Sequence, residues 1–103
     1  MDTPTLLQEA AARLEALAAR STAGDWRIAG LLASRPEIIA HRPDGSTEHV
    51  AEARASSAAW IVALSPAVAT PLADWLRAAA AGAESEHARL LATVLVERLP
   101  PSG

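Results

Sequence analysis

Residues 37–53, "EIIAHRPDGSTEHVAEA", determine the β part of the fold because they resemble two strands joined by a tight turn. Pro43 pre-sets the backbone angle of the first central position of a type I turn, Asp44 suits the second, and Gly45 can adopt a positive φ. The flanking segments are short and contain β-branched residues, which favour strands. The stretch therefore predicts a β-hairpin.

A third strand is predicted upstream of this hairpin, over residues 26–33, "WRIAGLLA". It is separated from the hairpin by the turn-like "SRP" of residues 34–36. Three short strands with short connections predict an antiparallel meander.

The segments on either side of the meander have helical periodicity. Residues 3–20 predict a helix with Thr3 as N-cap, Pro4 in the first turn and Gly24 as a left-handed C-cap. Glu9 and Arg13 are spaced to form an ion pair on its polar side. The apolar positions of this helix are Leu7, Ala10, Ala11, Leu14, Leu17 and Ala18.

The alanine-rich C-terminal half predicts two to three helices, broken at Pro66, Pro71 and Gly82. Ser56 or Ser57 would cap the first of them. Ser65 or Thr70 would start the next, with a kink near Pro71. The last helix is expected over residues 86–99, and its apolar face would hold Leu90, Leu91, Val94 and Leu95.

We therefore expect an α+β fold in one domain, residues 1–103: an N-terminal helix, a three-stranded antiparallel meander and C-terminal helices packed on one sheet face. Phe and Tyr are absent, so Trp60 and Trp75 are predicted to be the main space-filling residues of the core. Trp26 is predicted to cover the junction between helix and sheet.

The composition argues against several classes of function. Every basic residue is Arg, no Cys, Lys or Asn occurs, and alanine dominates, which indicates a GC-rich genome such as that of an actinobacterium or its phages. A net charge of −3 argues against nucleic acid and anionic membranes. The N-terminus lacks the pattern of a signal peptide, and no continuous apolar run of about 18 residues is found, so we expect a cytoplasmic protein.

The order of these segments resembles a group of small actinobacterial and phage-encoded proteins. In that group a Thr-Pro-Gly-Pro-Trp turn follows the first helix, as "TAGDW" does here, and a segment like "SSAAWIVALSP" opens the next helix. Ala23 and Asp25 stand where the group has its prolines. The resemblance implies the fold and a mobile-element context, and it brings no activity with it.

Two histidines in the hairpin are candidates for metal binding. The register of a three-residue loop places His41 and His49 on one face, with Glu37 on that face and Glu48 and Glu52 on the other. A zinc site requires three or four ligands, so we expect solvent-facing histidines and no metal or other cofactor. No nucleophile elbow or phosphate-binding loop is found, and we expect no enzyme.

The alternative is a binding site for a small anionic, nucleotide-like ligand. Arg27, Arg42 and Arg54 lie in or beside the strands, and their guanidinium groups suit phosphates. Trp26 could stack on a base. Scattered arginines are also the ordinary solubilising cations of a chain without lysine.

The leading hypothesis is a small non-enzymatic protein that forms a homodimer and acts through contact with a protein partner. A chain that is 50% hydrophobic has more apolar surface than one small core needs. An accessory factor of a phage or mobile element would fit, and a minor enzyme is the third alternative.

Overall fold

The computed structural model describes residues 1–30, 34–82 and 85–102. It confirms the predicted α+β class and the predicted order of helix, meander and C-terminal helices. The expected extension of the first strand over residues 31–33 lies outside the described residues. In chain order the elements are α1 (Thr3–Arg20), β1 (Asp25–Ala29), β2 (Glu37–His41), β3 (Thr47–Glu52), α2 (Ala55–Ala63), a 3-10 turn (Pro66–Val68), α3 (Ala69–Ala81) and α4 (Glu86–Arg98).

The chain forms two compact units. The helical unit consists of Met1–Arg20 and Val68–Gly103, with α1, α3 and α4. The sheet unit, Ser21–Ala67, contains the three strands and α2. That the chain behaves as one domain stays a prediction, because compact units of one chain can unfold together or separately.

The core of the helical unit is built from alanine and leucine. Helix α1 packs against both α3 and α4. Small side chains at these contacts let the helix axes approach closely, because interaxial distance depends on the side chains between the helices. The buried residues are Leu7, Ala10, Ala11, Ala73, Leu76, Ala79, Ala88 and Ala92.

Both predicted caps of α1 are wrong. Asp2 caps the helix, since its Oδ1 accepts the backbone N–H of Thr5 at 2.8 Å, and Thr3 is already helical. The hydrogen bonds from Thr5 hold the pKa of Asp2 below its ordinary value. At the other end α1 stops at Arg20, and Gly24, with a φ of 120°, leads into β1 instead.

Two arginine contacts connect α1 to the other helices of its unit. Arg13 donates through Nε to Glu9 at 3.1 Å, as predicted, and through Nη1 to the carbonyl oxygen of Val96 in the last turn of α4 at 2.6 Å. Arg77 of α3 makes a two-pronged ion pair with Glu15, at 2.8 and 2.6 Å. These contacts fix how α3 and α4 are arranged around α1.

The sheet has the strand order β1-β2-β3, and both pairings are antiparallel. Trp26 pairs with Ala40 and Ile28 with Ile38, so these four residues share one face. Helix α2 contacts β1 and β2. Few of the described side chains in this unit are fully buried, namely Pro36, Ile38, Ala40 and Ala58.

The hairpin tip has the predicted geometry. The Gly45 N–H donates to the Arg42 carbonyl at 3.0 Å, and the Arg42 N–H donates to the Ser46 carbonyl at 3.0 Å. Gly45 has a φ of 86°. Asp44 Oδ1 accepts the Ser46 N–H at 2.8 Å, and the hydrogen bonds from Ser46 lower the pKa of Asp44. The turn prediction is confirmed.

A bulge at Val50 changes the register of β3. Before it, His49 pairs with Ile39 as the predicted loop requires; beyond it, Glu52 pairs with Glu37. An inserted residue reverses the alternation of side chains along the strand. The prediction that Glu52 lies on the face opposite Glu37 is therefore wrong.

The predicted starts of α2 and α3 are also wrong. Arg54 precedes α2 in extended backbone and makes no capping hydrogen bond, and the two serines lie within the first turn. Helix α3 begins at Ala69, directly after the 3-10 turn that Pro66 opens. Pro71 lies in the first turn of α3, where amide hydrogens need no partner, so the helix continues through it.

Candidate functional site

Helix α2 presents its largest apolar side chains to solvent. Trp60 is 69% exposed, Leu64 60% and Ile61 36%, whereas Ala58 is the buried residue of this helix. Together with the exposed Ser57 they follow a spacing of i, i+3, i+4 and i+7, which places them on one side of the helix. We call Ser57, Trp60, Ile61 and Leu64 the α2 outer face.

This face lies in a long stretch without charge. Residues 55–73 contain no Asp, Glu, Arg or Lys, and Arg54 and Asp74 flank them. Among the described residues, Ala55–Ala81 is long and apolar enough, by length and composition only, to cross a membrane. An 18-residue window within it has a mean hydropathy of 1.3, and 17% of that window is buried. The sequence reasoning missed this stretch because Ser, Thr and Pro interrupt its apolar residues.

The two tryptophans predicted to fill the core lie at the surface instead. Trp75 is 46% exposed, and Ala73 and Leu76 of α3 take the buried positions beside it. Helices that meet through alanine leave no room for an indole between them, because protein cores are closely packed. The core assignment of Trp60 and Trp75 is therefore wrong.

The predicted leucine face of α4 is divided. Leu91 and Leu95 are half-buried, whereas Leu90 is 50% exposed and Val94 45%. The fully buried positions of α4 belong to Ala88 and Ala92. Leu90 and Val94 form a second, smaller apolar strip, one helical turn apart.

Of the three arginines predicted to bind an anionic ligand, two are paired with carboxylates and the third lies in another element. Arg27 donates to Asp25 at 2.8 Å, and Arg42 donates to Glu48 at 2.7 Å. The Arg42 guanidinium holds the pKa of Glu48 below its ordinary value. Arg54 lies at the start of α2.

Strand register further divides this group of candidates. Trp26 and Glu48 both pair with Ala40, so the indole and the Glu48–Arg42 ion pair share one face of the sheet. Arg27 is next to Trp26 in β1 and therefore lies on the other face. The Trp26 indole is half-buried, and its N–H donates to a backbone carbonyl in the loop before β1 at 3.0 Å. The structure brings Trp26 and Arg42 to one face and places Arg27 elsewhere.

The hairpin histidines show the predicted arrangement with Glu37. The Nδ1 atom of His49 lies 3.6 Å from Glu37 Oε2, and both side chains are about half exposed. His41, two positions along β2 from Ile39, shares this face. Within the part of the chain that the structure describes, no three His, Asp or Glu side chains are placed to hold a metal ion.

A cavity of about 230 Å³ lies at the starts of α1 and α4, lined by Thr3, Ser85, Glu86 and Arg89. Ser85 caps α4 by accepting the Ala88 N–H at 3.1 Å. Arg89 donates to Glu86 at 2.9 Å and lowers the pKa of that carboxyl. The positive charge of Arg89 in this cavity is thus neutralised by Glu86.

No protein-family model, curated protein or solved structure matches this chain. The resemblance noted from the sequence stays a prediction. A site can therefore be chosen only by its physical properties. The described carboxyls with lowered pKa are surface groups bound to Arg, Thr or Ser, as structural ion pairs and caps are. Burying large apolar side chains is favourable, so exposed ones call for another explanation, and among the described residues the α2 outer face holds more of them than the Leu90–Val94 strip.

Proposed function

We propose that this chain is a small non-enzymatic protein of the cytoplasm that acts through self-association and protein–protein contact. The observation that carries the proposal is the exposure of Trp60 in α2 and of Leu64 at its C-cap, on a helix whose own buried residue is an alanine. Tryptophan is among the residues most enriched at binding hot spots. Its exposure on a charge-free helix is typical of an interface.

The mobile-element role belongs to this proposal and rests on the resemblance alone. An actinobacterial phage or accessory element would supply the partner in that setting. A membrane-associated role has less support, since one apolar stretch divided by Leu64, Ser65 and Pro66 is weak evidence of a membrane span.

The proposal is tested by sedimentation equilibrium at protein concentrations from one to several hundred micromolar. We expect the weight-average mass to rise with concentration from 10.7 kDa toward twice that value. A single species of 10.7 kDa over the whole range would contradict self-association.

Binding of a nucleotide-like anion stays the alternative prediction. On the face that holds Trp26 it requires Arg42 to leave Glu48, so a ligand must compete with that ion pair. A ligand that binds only the native state raises the melting temperature by mass action. A thermal-shift screen of mono-, di- and cyclic nucleotides therefore tests it, and a response that Arg42→Ala removes would favour it.

A further inference from the structure

We propose that the α2 outer face binds its own counterpart in a second copy of the chain, across a two-fold axis that passes near Trp60 and Ile61. This inference rests on the proposed self-association and names the surface, the partner and the symmetry.

The spacing of the face suits helix-on-helix packing. Residues at i, i+3, i+4 and i+7 are the positions with which an amphipathic helix enters an apolar groove. The neighbouring exposed residues of α2 are small, namely Ser56, Ala59 and Ala63. Small residues beside a Trp let the helix of a second copy approach closely.

The absence of charge around the α2 outer face favours a second copy of the chain, rather than a different protein, as its binding partner. A two-fold axis brings residues near it opposite their own copies, so a charged residue there would be repelled by itself. Residues 55–73 contain no charge, although 20% of the whole chain is charged. Uncharged residues at the axis avoid this repulsion, and residues 55–73 offer no charge that would match a charged surface on a different protein.

The same charge distribution weighs against a lipid surface as the occupant. Helices that lie in the membrane interface have Lys and Arg on their polar side, which attract lipid phosphates. The chain has no basic residue between Arg54 and Arg77, and its net charge is −3. The uncharged α2 outer face of an acidic protein therefore suits an identical uncharged face better than it suits a lipid surface.

The small size of the face sets the expected strength. Interfaces that bury less than about 1,200 Å² in total are usually weak and transient. Two large side chains of a nine-residue helix and one at its C-cap fall in that class. We therefore expect a dimer that dissociates readily, with Trp60 contributing most of the affinity.

The first experiment places a charge on the proposed axis. Trp60→Glu should raise the dissociation constant measured by sedimentation at least about tenfold, because it sets two carboxylates opposite each other. Trp75→Glu, the same substitution at an exposed Trp of α3, should leave that constant unchanged. Circular dichroism of both variants checks that they are folded.

A mixture of Trp60→Glu and Trp60→Arg tests the symmetry. Each variant alone should be monomeric, whereas the mixture should form a heterodimer with one carboxylate facing one guanidinium. Rescue in the mixture is expected only if residue 60 of one copy faces residue 60 of the other.

The absence of cysteine from the chain permits a second, independent measurement. Ile61→Cys should form a covalent dimer under mild oxidation, because the cysteine lies next to its own copy. Ser46→Cys, at the exposed hairpin tip, should form no covalent dimer under the same conditions.

The outcomes distinguish a failure of the α2 interface from a failure of the proposed self-association. A wild-type chain that is monomeric overturns both, and flotation of that monomer with phosphatidylcholine vesicles would assign the face to lipid. A wild-type dimer that persists in Trp60→Glu and does not crosslink through Ile61→Cys overturns only the α2 interface. In that case self-association uses another surface.

Discussion

Gly24 and Gly45 both have positive φ, but their surroundings differ. A β-carbon at Gly24 would lie 2.8 Å from the carbonyl oxygen of His41, whereas one at Gly45 would meet nothing within 4 Å. We expect Gly24→Ala to lower the free energy of unfolding by about 3 kcal/mol, through backbone strain and this clash. Gly45→Ala should cost about 1 kcal/mol, the strain alone. Urea denaturation midpoints measure both, and equal losses would show that the contact with His41 is unimportant.

The hairpin histidines are expected to contribute little to stability. His49 is half exposed beside Glu37, and surface substitutions of this kind change stability by about 0.5 kcal/mol or less. We predict that His49→Ala and His41→Ala stay within that limit, with or without added zinc. If zinc raised the melting temperature of the wild type and of neither variant, the hairpin would be a metal site.

At the scale of elements, Arg13 connects the middle of α1 to the end of α4. Its side chain is 18% exposed, and its guanidinium donates to the carbonyl oxygens of Val96 and Leu99 as well as to Glu9. The last carbonyls of a helix have no partner within it, so Arg13 satisfies groups that would otherwise need water. This single side chain therefore caps α4 from a helix far away in sequence.

Arg13→Met should lower the free energy of unfolding by about 2 kcal/mol, because hydrogen bonds to a charged group are lost while the apolar stem is kept. Arg98→Met, at an exposed position of α4, is the matched control and should change it by less than about 0.5 kcal/mol. Thermal or urea unfolding distinguishes the two. Equal effects would mean that the α1–α4 contact depends on packing alone.

The contact between α1 and α3 should make stability depend on pH. The Arg77 guanidinium lowers the pKa of Glu15 from its ordinary value of 4.5. A carboxyl with a lower pKa in the folded state stabilises the fold above its ordinary pKa, and this contribution is lost as pH falls through the folded pKa. We expect the urea midpoint to fall between about pH 6 and pH 3, and to fall less in Glu15→Gln. An identical pH dependence in that variant would contradict this assignment.

Elements with local signals were predictable from the sequence, and those without them were not. Pro43 and Gly45 specify the hairpin by their backbone angles, and the heptad-like leucines and alanines specify α1. In α2 nearly every position is apolar or small, so no periodicity shows which side is buried. The exposure of Trp60 consequently could not be predicted from the sequence pattern. The uncharged stretch between Arg54 and Asp74, which contains Trp60, could have been found from the sequence.

At the scale of the whole chain, the sheet unit is inserted into the helical unit. Helix α1 precedes Ser21, whereas α3 and α4 follow Ala67. Without a folded sheet unit, α1 and α3 would be joined by a disordered loop whose closure costs roughly 3 kcal/mol. Few of the side chains that the structure describes in the sheet unit are fully buried, and units of this size are marginal alone. The stability of each unit should thus depend on the other through the chain.

We therefore predict that the chain unfolds in one cooperative transition, as the single-domain expectation requires. Replacing Trp60 and Trp75 by Phe leaves Trp26 as the only fluorophore, and its half-buried indole reports on the sheet unit. Far-UV circular dichroism reports mainly on α1, α3 and α4, which contain most of the helical residues. Coincident thermal curves from the two probes are expected of a two-state unfolding reaction. Trp26 fluorescence that changed at a lower temperature than the helical signal would show that the sheet unit unfolds by itself. The free-energy cost of closing the resulting loop would then be too small to couple the two units.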